Sequence, residues 1–180
     1  MIELCFHATG WTAIGTWVLV LGTLIAVFIQ KSQNRLINSA NYIMQFHNRF
    51  ESRHFINRRQ KLTQKILDKE KEILDEILVF FETLGCLTKH RVLTKEMVWN
   101  DFAWEIVRYY QALRRFNGID YIDWFRKTNK DKTLYSEFEW LYEEIIKFDR
   151  KRRDVGLEFV VPNEQEIQKF LEKETKIKIE

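Results

Sequence analysis

Twenty consecutive residues without a formal charge, Trp11 to Gln30, stand at the front of a chain in which 31% of the residues are Asp, Glu, Lys or Arg. A helix rises about 1.5 Å per residue, so a run of this length matches a ~30 Å hydrocarbon core. The expectation is a retained transmembrane helix. A secretory signal starts basic and ends at a small-residue cleavage site. This N-terminus carries Glu3 and His7, and the run closes on Val27-Phe28-Ile29-Gln30. Lys31 and Arg35 follow the run while only Glu3 precedes it, so the positive-inside rule places the C-terminal part in the cytoplasm.

At 100° per residue, Ala8, Thr12, Gly15, Leu19, Gly22 and Ala26 form one seam, small except for Leu19. Thr9, Thr16, Thr23 and Gln30 repeat every seven residues beside it. Small residues let helices approach closely in lipid, and hydroxyls then bond across the contact. Thr9, Thr12, Gly15, Thr16, Gly22, Thr23, Ala26 and Gln30 are the candidate oligomer or pore seam. The partners expected from it are further copies of the chain, arranged as a ring, and the lipid bilayer. A plain anchor needs no such partner, since Thr and Gly are common in spans.

Six Gly and one Pro in 180 residues leave little turn chemistry, which predicts an all-α fold. Neither occurs between Thr23 and Leu84, so the first helix is expected to run on through Leu36, Ile37, Ala40, Ile43, Met44 and Phe50. Ser52 is a candidate cap for a new helix. Apolar spacing then continues from Leu62 to Leu84, with Gly85 as the expected stop. Thr94 is read as the cap of a helix ending at Asn117-Gly118. Another helix runs from Leu134 towards Gly156, and Leu157 to Val161 reads as a brief extended piece. Asn163 with Glu166 forms a capping pair for the last helix. The organisation expected is an outer N-terminus (1–10), a span (11–30), a juxtamembrane helix (31–51), a helical domain (52–156) and a C-terminal segment (157–180).

Cys5 and Cys86 would lie on opposite sides of the membrane, so no disulfide framework is expected. The His and Cys residues lack metal-ligand spacing, and no phosphate-loop, dinucleotide or nucleophile-elbow motif occurs. No metal and no cofactor is expected. One polar spacing carries a chemistry. Arg49 and His54 form an R-x4-H, in which Arg can grip a phosphate and His can act as general acid or base. Paired across two protomers, they could activate a ribose 2′-hydroxyl. In a straight helix these positions lie about 140° apart, so a break near Glu51-Ser52 is required. Two basic clusters, Arg53, Arg58 and Arg59 after the span and Arg150, Lys151, Arg152 and Arg153 further on, are candidates for RNA or lipid contact. The plain alternative for the second is a basic last turn complementing a helix dipole. Trp99, Trp104, Trp124 and Trp140 fall on apolar stripes and are read as core.

A short N-terminus, one span, an R-x4-H soon after it and a compact helical domain together resemble the small accessory membrane protein of type VI-B CRISPR–Cas systems. The segments Ile77 to Gly85 and Leu134 to Tyr142 also resemble a broader set of uncharacterised single-span bacterial proteins. The first resemblance implies a HEPN-like helical bundle on a single-pass protein of the bacterial inner membrane. Arg49 and His54 would be its motif pair. The implied role is a homo-oligomeric pore or membrane-perturbing accessory that enhances RNA-guided antiphage defence, with a CRISPR effector or RNA as a further partner. Phe50 stands where HEPN nucleases carry a polar residue, a departure that weighs against RNA cleavage. The alternatives are a membrane-tethered HEPN ribonuclease using Arg49 and His54, and a catalytically inert anchored adaptor.

Overall fold

The computed structural model of the chain describes residues 3–71, 75–152 and 161–177, with side chains from Leu19 onward. Among the described residues the fold is all-α, as the scarcity of turn residues implied. The helices are α1 (Glu3–Phe50), α2 (Arg53–Leu67), α3 (Glu76–Lys89), α4 (Lys95–Arg115), α5 (Tyr121–Thr128), α6 (Ser136–Arg152) and α7 (Glu164–Glu174), with a 3-10 turn at Phe116–Gly118. The expected extended piece at Leu157 to Val161 lies almost wholly outside the described residues, as does Gly156. The chain divides into two compact units, residues 1–38 and 39–180.

The transmembrane helix is corrected. Among the described residues no helix is long and apolar enough to cross a membrane. The described apolar run extends only from Leu19 to Ile29, about 17 Å at 1.5 Å per residue. Gln30, Lys31, Ser32, Gln33, Asn34 and Arg35 then follow within the same helix. Trp11 to Val18, the other part of the expected span, lie outside the described side chains. The continuation of the first helix is as expected, since α1 runs unbroken to Phe50.

In the second unit an aromatic cluster forms the centre of the core. Phe50, Phe55, Phe80, Phe81 and Phe102 bury against one another, with centroid separations of 4.9 Å for Phe55–Phe80 and 5.2 Å for Phe80–Phe81. Phe81 stacks on Phe138 of α6 at 4.9 Å and 13°. That contact belongs to a close crossing of α3 and α6. Gly85, expected as a helix stop, lies inside α3, where a β-carbon would stand 2.3 Å from the Glu137 carbonyl oxygen. The Glu82 carboxylate accepts the Phe138 N–H at 2.7 Å and so satisfies an otherwise orphan donor in the first turn of α6. The apolar spacing read as continuous from Leu62 to Leu84 is divided between α2 and α3, with Lys69 in the left-handed region at φ 59° after the Asp68 cap. Ile167, Phe170 and Leu171 of α7 are buried, and Phe170 meets Tyr109 of α4 edge-on at 5.1 Å.

The expected caps are present. Ser52, Thr94 and Asn163 each accept a backbone N–H three residues on, and Glu166 completes a capping box with Asn163. Of the tryptophans read as core, three pack against its edge and one does not. Trp99, Trp124 and Trp140 are partly buried against the core, whereas Trp104 is exposed. Trp104 lies under the Arg108 guanidinium at 3.8 Å, which lets an indole remain at the surface with one face covered.

Candidate functional site

The R-x4-H straddles a helix break. α1 closes with the Glu51 N–H donating to the His47 carbonyl at 2.9 Å. Ser52 then turns extended, at ψ 144°, and its hydroxyl donates to the Arg49 carbonyl at 2.7 Å while accepting the Phe55 N–H at 3.3 Å. One small hydroxyl thus ends α1 and starts α2. Arg49 and His54 consequently sit on different helices, and no described contact joins them. The Arg49 guanidinium lies 5.6 Å from the Phe55 ring and 5.9 Å from the Phe80 ring. His54 is exposed and lines a cleft with Arg53, Asn57, Arg58 and Lys61. Phe50, between the two motif residues, is 4% exposed and belongs to the aromatic cluster. A polar residue there would open the core.

Beneath this break lies a buried ionic group with no counterpart in the sequence reading. Arg59, expected as a surface contact, is 3% exposed and stacks on the Phe50 ring at 4.0 Å. It pairs with Glu174 of α7 at 3.2 Å and with Glu51 at 3.5 Å. The Tyr109 hydroxyl donates to the same Glu174 carboxylate at 2.6 Å. Burial, and then the neighbouring Glu174 charge, push the Tyr109 phenol well above its usual range. Glu105 is raised by burial, with Glu174 and Glu51 adding to the shift and Arg59 opposing it. Arg59 is therefore a structural counter-ion. Its partner Glu174 stands far along the chain, so no local spacing announces the pair.

The chain matches, over residues 12–145, a family described as a domain of unknown function, DUF4760. It belongs to that family. No curated protein and no solved structure matches it. The DUF4760 match takes in the helix break and the α2 cleft, and it ends within α6. It carries no CRISPR or HEPN link.

The remaining candidates in this DUF4760 chain are dispersed. Of the seam, Gly22, Thr23, Ala26 and Gln30 are exposed, and a β-carbon on Gly22 would meet nothing within 4 Å. The Thr23 hydroxyl donates to the Leu19 carbonyl at 2.8 Å, within its own helix. Thr9, Thr12, Gly15 and Thr16 lie outside the described side chains. Arg150 and Lys151 are exposed at the end of α6, while Arg152 pairs with Glu96 at 2.6 Å and lies 5.2 Å from the Trp99 ring. Arg153 lies outside the described residues. Arg58 pairs with Glu76 at 3.1 Å. Among the described residues no group of His, Cys, Asp and Glu could hold a metal ion.

A second ionic group ties α4, α5 and α6 together. Arg114 reaches Asp120 at 2.5 Å and Glu139 at 3.0 Å, and Arg126 reaches Glu139 at 3.0 Å. Hydrogen bonds from Arg126 and Tyr110 and the charges of both arginines outweigh burial and hold the Glu139 carboxyl below its ordinary value. Every acid in this group is matched by a base, which is the arrangement of a brace between helices.

Proposed function

We propose that this protein is a membrane-associated accessory that acts by self-assembly and has no catalytic activity of its own. The observation that carries this reading is the bare apolar run of α1. Leu19, Val20, Leu21, Leu24, Ile25, Val27, Phe28 and Ile29 are all exposed, Phe28 at 79%. These positions cover every face of the helix, and a helix apolar all round belongs in an apolar medium or against other apolar helices. Open space around Gly22 leaves room for a second helix to approach closely. The resemblance to the type VI-B CRISPR–Cas accessory supplies the setting, an assembly that strengthens RNA-guided defence at a membrane. Burial of Phe50 and the use of Arg59 as a core counter-ion favour a structural role for the segment around the motif.

The test compares the full chain with a Leu24→Glu/Phe28→Glu variant. The unaltered protein is expected to float with neutral phosphatidylcholine vesicles and to run as an oligomer by detergent-corrected light scattering. The variant should do neither, while keeping the helical signal of its bundle. An unaltered chain that is monomeric and ignores vesicles overturns the reading. The membrane-tethered ribonuclease reading has one observation of its own, the break at Ser52 that frees Arg49 and His54 from a single straight helix. RNA cleavage by the purified chain, abolished by His54→Ala without change in assembly, would establish it instead.

A further inference from the structure

Between Arg53 and Leu67, α2 carries Arg53, His54, Arg58, Arg59, Lys61 and Lys65 and contains no Asp or Glu. Three of these charges are matched within the fold. Arg59 is buried against Glu174, Arg58 pairs with Glu76 at 3.1 Å, and Lys65 pairs with Glu70 at 3.1 Å. Arg53 and Lys61 are exposed, and among the described residues neither has an acidic partner. Both line one cleft of about 490 Å³ together with His54, Asn57 and Arg58. The lining holds guanidinium, ammonium, imidazole and amide groups and no carboxylate. The pair at Nε holds the Arg58 guanidinium in place rather than leaving it to wander.

Like charges at helical i, i+3 and i, i+4 spacings repel, as Arg58 and Lys61 do here. A chain that places such charges around one cleft carries an unfavourable self-energy that a bound anion relieves. The cleft is lined by a single stretch of about two helical turns, which suits a compact anion better than an extended strand. Its lining residues are all polar or charged, and among the described residues no large apolar side chain between Met44 and Val79 is exposed, so this face offers little to bury in hydrocarbon.

We propose that this face of α2 is a binding site for a phosphate group, with Arg53 and Lys61 supplying the free charges, Arg58 a fixed one, and His54 and Asn57 hydrogen bonds. The phosphate is borne either by a lipid headgroup or by a free phosphorylated small molecule. The lipid source rests on the membrane-association reading above, whereas the free source does not.

The experiment uses the full chain, an Arg53→Gln/Lys61→Gln variant, and Lys127→Gln as a control at an exposed lysine away from the cleft. Each is floated with phosphatidylcholine vesicles, with and without phosphatidic acid, and titrated with inorganic phosphate by NMR. For the lipid source, phosphatidic acid should tighten binding, and the double variant should lose roughly thirty-fold of that gain, at about five-fold per charge near an anionic surface. Its binding to pure phosphatidylcholine should be unchanged, because that reports the apolar run. For the free source, phosphate should shift the His54, Asn57 and Arg58 resonances of the unaltered chain and of the control, but not of the double variant, even if no vesicle binds. Absence of both the lipid preference and the phosphate shifts overturns the site. So does binding of a single-stranded oligonucleotide through the same residues with neither of the other responses, which assigns the face to nucleic acid.

Discussion

Two glycines show how one substitution takes opposite signs in one chain. A β-carbon at Gly85 would lie 2.3 Å from the Glu137 carbonyl oxygen and 2.7 Å from its carbonyl carbon. Both atoms are backbone of the opposing chain segment, so α3 and α6 must separate to admit a methyl group. Ala also brings better helix propensity, up to ~1 kcal/mol, but a displaced helix crossing costs about 1–3 kcal/mol, and the second effect wins. Gly85→Ala is expected to lower the urea midpoint of the bundle. Gly22→Ala, with nothing within 4 Å of the new atom, should leave that midpoint unchanged and can only gain helicity. A Gly85→Ala protein as stable as the parent would mean that the α3–α6 crossing is looser than described.

At the scale of the element, the C-terminal helix is held by a buried charge pair as well as by its apolar face. Glu174 meets Arg59 at 3.2 Å and the Tyr109 hydroxyl at 2.6 Å, while the Gln60 amide donates to the Ile177 carbonyl at 2.7 Å. Removing one member of a buried pair leaves the other uncompensated and costs about 3–5 kcal/mol. Glu51 stays beside Arg59 at 3.5 Å and softens the loss, so Glu174→Met is expected to destabilise the bundle by up to about that amount in chemical denaturation. Arg59→Met/Glu174→Met should cost clearly less than the sum of the two single changes. Simple additivity would show that the two side chains do not share their energy. This pair also marks where the sequence ceased to be readable. The caps at Ser52, Thr94 and Asn163 were legible because each links a side chain to a backbone N–H three residues away. Local spacing presents Arg59 as a surface contact because its counter-ion is on the last helix. Gly85 reads locally as a helix stop because the backbone that requires it belongs to Glu137, on another helix. The α2–α3 break was hidden because apolar spacing continues across it, and Lys69 enters the left-handed region without the glycine that usually signals such a turn. Of the site, the motif residues and the break between them were legible from local spacing, and the burial of Arg59 was not.

At the scale of the whole molecule, four glutamates give the bundle a pH dependence with two limbs. Burial raises Glu105 and Glu82 above the ordinary value of 4.5. The bonds and charges around Glu139 and Glu144 lower those two below it, the Lys95 hydrogen bond being the largest cause at Glu144. Between 4.5 and the raised folded values, the native state binds more protons than the unfolded chain, so stability falls as pH rises through that window. Below 4.5 the unfolded chain binds more protons at Glu139 and Glu144, so their contribution is lost as pH falls through the lowered folded values. These four groups together place a stability maximum near the ordinary carboxylate value, on the acid side of neutrality. Glu105→Gln separates the limbs. It removes the penalty of burying an ionised carboxylate beside Glu174 and Glu51, so the variant is expected to be more stable than the parent at pH 7 and to lose that advantage progressively as pH falls towards 4.5. Its acid limb, to which Glu139 and Glu144 contribute, should be unchanged. Urea unfolding at half-unit pH steps measures both limbs. An unaltered slope above pH 4.5 in Glu105→Gln would show that Arg59 already neutralises Glu105, and would shift the origin of the upper limb to Glu82.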